Sequence, residues 1–265
     1  MPSVPFYQVD AFSGRPFGGN PAAVCVLEAF PDDATMAAIA AENNLSETAF
    51  LVRQGEDYAL RWFTPTVEVD LCGHATLASG LVVTGELEPG RARVRFHTRS
   101  GVLEVERRGD ELSLDLPARA PAPAAPPAGL EEALGAAPAA TLRARDVVAV
   151  FERAEQVRAL RPDSRAIAAL EDTFAVCVTA PGTGDDADVD FVSRFFAPAR
   201  GVPEDPVTGS AHCSLVPYWA TRLGRVELRA RQVSARGGEL TTALRGERVE
   251  LRGRAVVVVR GTMAW

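Results

Sequence analysis

Short runs of alternating or β-branched apolar residues recur along most of the chain, and such runs are typical of strands. The runs span residues 7–12, 22–27, 48–53, 58–64, 92–97, 101–106, 111–116, 147–151, 174–178, 191–196, 225–230, 248–251 and 255–260. Fewer stretches carry apolar residues at helical spacing, and these span 32–41, 73–83 and 210–223. Because strands outnumber helices without a regular strand–helix–strand alternation, the pattern predicts an α+β fold.

A segment dense in proline and alanine, residues 118–140, interrupts the pattern and predicts an interdomain connection with one short helix at 130–134. It divides the chain into an N-terminal domain, 1–117, and a C-terminal domain, 141–254, each close to a typical domain size.

The two halves resemble each other. The segment RWFTP at 61–65 is matched by RFFAP at 194–198, and each is followed by a valine, an aspartate and then a glycine that opens an apolar helix. These glycines are Gly73 and Gly209. Self-similarity at this long period predicts two duplicated domains.

Duplicated domains usually form a cleft, and each half here contributes one strand, a glycine turn and a helix start. The N–H groups of a helix's first turn are unpaired and lie at its positive end, so two such ends facing one cleft would bind a small anion. The alternative is that both are ordinary capped helices, with Asp70 and Asp205 near the caps.

The amino-acid composition excludes or disfavours several classes of protein. All 28 basic residues are arginine, so a Schiff-base lysine and the lysine of a P-loop are both excluded. A net charge of −7 argues against nucleic acid as a partner. A mean hydropathy of +0.01, with no apolar run of 18 residues, argues against a membrane span. The sequence shows no secretory signal, so we expect a cytoplasmic protein.

The four cysteines form no CxxC pair, and the three histidines are scattered. We therefore expect reduced thiols, no structural zinc and no other metal site.

Four ordered motifs carry a resemblance to a known family. They are VDAFSGRPFGGNPAAV at 9–24, NNLSETAFLV at 43–52, LRWFTPTVEVDLCGHAT at 60–76 and FFAPARGVPEDPVTGSAH at 195–212. Together they resemble the phenazine biosynthesis isomerase (PhzF-like) family over almost the full chain. The resemblance implies the diaminopimelate epimerase-like fold: two similar domains, each a curved, mostly antiparallel sheet around a central helix, with the active site in the interdomain cleft. In that fold the final strand, 255–265, can return to the first domain.

The resemblance also implies an activity. The phenazine enzyme isomerises trans-2,3-dihydro-3-hydroxyanthranilate without a cofactor, because one carboxylate moves a proton from one ring carbon to another. Such a carboxylate works best when burial raises its pKa toward the working pH. Dimers are common in the family, so the resemblance implies a homodimer as well.

Carried over by motif, the catalytic residues are Glu47, His74 and Asp205, and the substrate-binding residues are Gly73, Gly209, Ser210 and Asn20. Each also has a plain structural interpretation. Glu47 could be an exposed loop acid, His74 a helix-start residue, Asp205 an N-cap, and Asn20 a turn residue.

Two alternatives stay open. Related epimerases use two opposed thiols, and this chain has Cys72 at the first position but Thr208 at the second. A hydroxyl is far too weak an acid to replace a thiolate, which disfavours two-base epimerisation, although a pairing of Cys72 with Glu47 remains open. The other alternative is a homologue that binds a small carboxylate without turning it over.

Overall fold

The structure is a computed structural model that describes residues 3–265, and it divides into two compact units. One unit consists of the chain up to Leu116 together with Arg252–Trp265, and the other is Pro117–Leu251. The proline- and alanine-rich segment thus belongs to the second unit.

The first unit is built from nine strands and two helices. The strands are β1 (Ser3–Ala11), β2 (Asn20–Leu27), β3 (Glu47–Gln54), β4 (Asp57–Phe63), β5 (Glu68–Val69), β6 (Arg93–Thr98), β7 (Gly101–Arg108), β8 (Glu111–Pro117) and, from the end of the chain, β18 (Ala255–Ala264). The helices are α1 (Asp33–Asn43) and α2 (Gly73–Val82), the latter continued by one π-helical turn, Val83–Leu87.

The strands of this unit pair mostly antiparallel. The pairs β1–β18, β1–β2, β3–β4, β4–β5, β6–β7 and β7–β8 are antiparallel, whereas β2–β3 and β4–β6 are parallel. The last strand lies beside the first along its whole length, from Ser3 opposite Ala264 to Ala11 opposite Ala255.

Helix α2 is the centre of the first unit. It packs against β1, β2, β3, β7 and β18, so the sheet curls around it. Nearly all of its residues are buried, which fits its sequence of small and apolar side chains. The contact with β7 is closest at Gly80, where an added Cβ would lie 2.4 Å from Cγ1 of Val105.

The second unit repeats this plan. Its strands are β9 (Ala122–Pro123), β10 (Ala140–Arg143), β11 (Val147–Val150), β12 (Val176–Pro181), β13 (Phe191–Ala197), β14 (Val202–Asp205), β15 (Glu227–Gln232), β16 (Gly238–Arg245) and β17 (Arg248–Gly253). Its helices are α3 (Leu130–Leu134), α4 (Ala154–Ala159), α5 (Ser164–Ala168) and α6 (Gly209–Leu223).

The order of parallel and antiparallel pairs is the same in both units. The parallel pairs β11–β12 and β13–β15 correspond to β2–β3 and β4–β6, and the antiparallel pairs β12–β13, β13–β14 and β15–β16 correspond to β3–β4, β4–β5 and β6–β7. Helix α6 occupies the position of α2 and packs against β15 and β16. The predicted duplication is confirmed by this shared topology.

The matched arginines reinforce the correspondence. Arg61 forms a two-point ion pair with Glu68 and lies over the Phe63 ring, and Arg194 does the same with Glu204 and Phe196. Each pair ties a long strand to the short strand that precedes the central helix.

The predicted helices are confirmed with small changes at their ends. Helix α1 begins after Asp32, whose carboxylate accepts a hydrogen bond from Thr35 N at 2.7 Å. The short helix predicted at 130–134 is also present. No helix within residues 3–265 is long and apolar enough to cross a membrane.

Candidate active site

The first unit brings Glu47, His74 and Asn20 into one buried group. Glu47 begins β3, Asn20 begins the adjacent parallel strand β2, and His74 is the second residue of α2. His74 Nε2 lies 3.2 Å from Glu47 Oε2, and Asn20 Nδ2 lies 3.1 Å from His74 Nδ1. Asn20 and His74 are buried, whereas the Glu47 side chain is 15% exposed and so reaches solvent at one end.

These contacts define the orientation of the imidazole proton. The Asn20 amide nitrogen can only donate, so His74 Nδ1 is the acceptor and the proton of the neutral ring lies on Nε2. Nε2 lies within ion-pair distance of Glu47 Oε2, 3.2 Å away. The imidazole ring therefore lies directly beside the carboxylate.

Cys72 is the third ionisable group beside His74. It is the N-cap residue of α2, it is buried, and its Sγ lies 3.6 Å from His74 Nδ1. Glu47, Cys72 and His74 offer one oxygen, one sulfur and one nitrogen atom that all lie within 4.8 Å of one another. The sequence analysis named all three residues and left a pairing of Cys72 with Glu47 open. It did not consider them together as metal ligands, because it weighed only CxxC pairs and the three histidines for that role.

Asp10 is a residue of this region that the sequence analysis missed. It is buried and accepts a hydrogen bond from Phe17 N at 2.7 Å, which closes the loop that leads to Asn20. Gly19 in that loop has φ +65°, and a Cβ there would lie 2.1 Å from Ala11 O. Only glycine fits this position, and the resulting close approach places Asn20 at the start of β2 rather than in a turn.

In the second unit, Asp205 ends β14 and accepts a hydrogen bond from the Thr208 hydroxyl. Thr208 is the N-cap residue of α6, so Asp205 does not cap the helix and that interpretation was wrong. Thr208 occupies the position that Cys72 holds in the first unit, as the sequence alignment of the two halves predicted.

Gln232 holds this turn together and was also missed. Its Oε1 accepts from Thr208 N at 2.9 Å, and its Nε2 donates to Asp205 O at 2.6 Å. Gln232 is fully buried at the end of β15, 24 residues after Thr208, and the sequence pattern carries no signal for such a distant contact.

Two further side chains form hydrogen bonds with residues at the start of α6. Arg145, which is held by Asp146 in a two-point ion pair, donates from Nη2 to Ser210 Oγ at 3.2 Å. The His212 ring donates from Nδ1 to Thr208 O at 2.8 Å. Burial lowers the pKa of His212 to about 4, so the ring is neutral.

Gly73 and Gly209 are the first residues of α2 and α6, as predicted. Among the described residues, neither N-cap side chain bonds to the first turn of its helix. Both helix starts therefore retain the character of an anion-binding end. The structure groups Glu47, His74 and Asn20 in one unit, and Asp205, Gly209 and Ser210 at the start of α6 in the other.

Two duplicated units, each a sheet curled around a central helix, form the diaminopimelate epimerase-like fold. The family model for phenazine biosynthesis-like proteins matches residues 9–261. The chain is 54% identical over 257 residues to an isomerase of Pseudomonas aeruginosa, an alignment that covers 97% of each protein. The chain belongs to the phenazine biosynthesis-like protein family, and it is an isomerase.

Solved structures agree with this assignment. A phenazine biosynthesis protein of the PhzF family from Enterococcus faecalis superimposes with a TM-score of 0.94 at 44% identity and full coverage of both chains. A hydroxyproline epimerase from Agrobacterium vitis has a TM-score of 0.62 at 12% identity, covering 98% of this chain and 92% of the epimerase. The second likeness shows the shared fold alone.

Proposed function

We propose that the protein is a cofactor-independent isomerase that moves a proton between two carbons of a small unsaturated carboxylate, with Glu47 as the acid and base. The observation that carries the proposal is the contact between Glu47 Oε2 and His74 Nε2 at 3.2 Å. It holds a carboxylate that is mostly buried but reaches solvent, which is the arrangement that a proton-transferring group needs.

The neighbouring groups have defined roles in this mechanism. Glu47 removes a proton from one carbon and returns it to another, so no proton, electron or cofactor is consumed. The Nε2–H of His74 stabilises negative charge while the proton is in transit. Asp205 bonds an amino or hydroxyl group of the substrate, and Asn20 keeps the His74 ring in place.

The substrate carboxylate is assigned to the helix starts. The backbone N–H groups near Gly73, Gly209 and Ser210 provide donors at the positive end of each helix dipole. This accounts for a small anionic substrate in a protein of net charge −7. The closest chemical precedent is trans-2,3-dihydro-3-hydroxyanthranilate, the substrate implied by the family resemblance.

A second candidate is an epimerase that uses Cys72, and the contact of its Sγ with His74 Nδ1 at 3.6 Å favours it. The matching position in the second unit is Thr208, whose hydroxyl donates to Asp205. An alcohol cannot supply the second acid or base, so this reaction would need Glu47 as the opposing group. The third hypothesis for the function is a protein that binds a small carboxylate without turning it over.

The test is NMR spectroscopy of the purified protein with trans-2,3-dihydro-3-hydroxyanthranilate in deuterated water. We expect rearrangement with deuterium entering the new C–H position. Glu47→Gln should lower the rate by about 100-fold or more, because a positioned acid or base contributes at least that much. Glu42→Gln, an exposed glutamate on α1, is the matched control and should leave the rate unchanged.

The variants separate the candidates. Activity that survives Glu47→Gln would contradict the role of Glu47. Activity lost in both Cys72→Ser and Glu47→Gln would instead support the epimerase mechanism, because the isomerase mechanism does not require the thiol. Absence of this rearrangement would exclude the substrate. A series of small unsaturated carboxylates would follow, and binding without deuterium exchange in any of them would overturn the isomerase proposal in favour of a binding protein.

The proposal also includes a homodimer in a reducing, cytoplasmic compartment. The four cysteines are free thiols in the structure, which supports that compartment. Light scattering of the purified protein tests the dimer directly, since a single species at the mass of one chain would contradict it.

A further inference from the structure

Glu47, Cys72 and His74 form a set of three chemically different donors, which we call the donor cluster. We propose that the donor cluster binds a thiophilic divalent cation, zinc in particular, and that the bound ion inhibits the enzyme. The proposal that zinc binds is based on the donor cluster alone. The proposal that zinc inhibits the enzyme rests on the proposed function of Glu47.

The donor types suit zinc. Zinc binds thiolate sulfur, imidazole nitrogen and carboxylate oxygen, and a site with three protein ligands keeps a fourth position open. One thiolate and one carboxylate would together balance the two positive charges of the ion, so the filled cluster would carry no net charge. This matters because Cys72 and His74 are buried, and burial penalises an unbalanced charge.

The distances are close to those that a tetrahedral ion requires. Metal–ligand bonds of about 2.0–2.3 Å place the ligand atoms about 3.3–3.7 Å apart in a tetrahedron. Glu47 Oε2 lies 3.2 Å from His74 Nε2, and all three donor atoms lie within 4.8 Å of one another. Cys72 Sγ lies 3.6 Å from Nδ1, the other nitrogen of the same ring, so the thiol and the ring must readjust for all three donors to share one ion.

The site also has a route of entry. Asn20 Nδ2 lies 3.1 Å from His74 Nδ1. When Nε2 binds an ion, the ring proton moves to Nδ1, so the Asn20 amide must turn for its oxygen to accept that proton. The exposed edge of Glu47 connects the donor cluster to solvent. By contrast, burial raises the pKa of Cys25 to about 12 and of Cys213 to about 11, so those thiols stay protonated and are poor ligands.

An ion in the donor cluster would occupy the carboxylate that transfers the proton. Glu47 would then be unable to accept a proton from carbon for as long as the ion is bound. The expected inhibition is therefore reversed by a chelator.

The experiment uses cobalt(II) as a spectroscopic substitute for zinc with the full-length protein. We expect a thiolate-to-cobalt charge-transfer absorption that saturates at one ion per chain and disappears when zinc is added. Cys72→Ser should abolish the absorption, whereas Cys213→Ser, which changes another buried cysteine, should retain it. Glu47→Gln should weaken zinc binding measured by calorimetry by about 10-fold or more, since even outer neighbours of a metal change affinity by that factor.

The outcomes are distinct. A wild-type protein without the charge-transfer absorption, or an absorption that survives Cys72→Ser, would overturn the metal site whatever the enzyme's activity. Circular dichroism of each variant confirms its fold, and Glu47→Gln gives a second test if Cys72→Ser does not fold. Saturable zinc binding without inhibition of the deuterium-exchange reaction would overturn the inhibitory role alone. A failure of Glu47→Gln to reduce turnover would contradict the proposed function but leave the metal site intact.

Discussion

His212 is a titratable residue that the fold keeps uncharged. Its ring is completely buried on α6 beside the Phe191 ring, with the centroids 5.9 Å apart. Nδ1 donates to Thr208 O, and Nε2 has no hydrogen-bond partner among residues 3–265. Because a charged ring would lose its hydration here, burial lowers the pKa of His212 to about 4.

This shift predicts a specific dependence of stability on pH. In the unfolded chain a histidine titrates near about pH 6.5, so between that pH and about 4 the unfolded state binds a proton that the folded state rejects. The free energy of unfolding should therefore be constant above about pH 6.5 with respect to this group. The free energy of unfolding should decrease as the pH is lowered from about 6.5 to about 4, by on the order of 3 kcal/mol in total.

Urea unfolding measured from about pH 3 to about pH 7.5, which extends about one unit beyond each of the two titrations, tests this prediction. His212→Asn keeps a nitrogen donor for Thr208 O but cannot titrate, so it should show a shallower loss of stability than the wild type. Equal slopes in the two proteins would show that His212 is not the group responsible.

At the scale of single residues, the sequence indicated the candidate site residues more readily than the residues that hold them in place. Glu47, His74 and Asp205 could be singled out because each lies in a short local motif. Gln232 and Arg145 were not, because each reaches the start of α6 from 24 or more residues away and forms its contact only through the tertiary fold. Such residues carry no local periodicity or spacing that a sequence could reveal.

At the scale of elements, the position of α2 depends on one glycine. A Cβ at Gly80 would lie 2.4 Å from Cγ1 and 2.8 Å from Cβ of Val105 on β7. In an exposed helix, alanine would be more favourable than glycine by about 1 kcal/mol. Here the helix and the strand are both buried, so the added methyl group forces them apart.

We expect Gly80→Ala to lower the free energy of unfolding by about 1–3 kcal/mol, the usual cost of overpacking a core. Adding Val105→Ala should recover part of that loss, because it removes the atoms that the new methyl group meets. Gly85→Ala is a matched control, since the nearest atom there is the flexible guanidinium of Arg107 at 3.3 Å. Urea unfolding of the wild type and of the three variants measures the effect. If Gly80→Ala were as stable as the wild type, helix α2 could move away from β7 without a cost in free energy.

The elements that the sequence predicted well are those with a strong repeating pattern. Helices α1, α2 and α6 lie within one or two residues of their predicted ends, and the final strand was expected to return to the first domain, where it pairs with β1. Helices α4 and α5 have only six and five residues, which is too short for an apolar stripe to be recognised. Strand β16 was missed because its segment is rich in threonine and carries few apolar residues.

At the scale of the whole molecule, the two units share a topology but have diverged around their matched arginines. Arg61 bonds Glu68 and the exposed Asp33 through its side chain. Arg194 bonds Glu204 and, from Nη1, the backbone carbonyls of Val157 and Leu160 at 3.2 and 3.0 Å. The sequence predicted the repeated arginine, but not this difference, because the carbonyls lie 37 and 34 residues from Arg194 along the chain and are brought to it only by the tertiary fold.

The difference predicts unequal effects of one substitution. Lysine cannot reproduce the planar two-point contact with a glutamate, so both Arg61→Lys and Arg194→Lys should be destabilising. Only Arg194→Lys also leaves two backbone carbonyls at the end of α4 without their donor. We therefore expect it to cost about 1–3 kcal/mol more than Arg61→Lys, the usual penalty for unsatisfied buried polar groups.

Hydrogen exchange detected by mass spectrometry identifies the cause of the extra loss. In Arg194→Lys, peptides that cover α4, Ala154–Ala159, should exchange faster than in the wild type, because the end of that helix loses its anchor. Arg61→Lys should leave those peptides unchanged and serves as the control. Equal losses of stability, with no change in exchange at α4, would mean that the ion pairs alone account for both arginines and that the units have not diverged energetically.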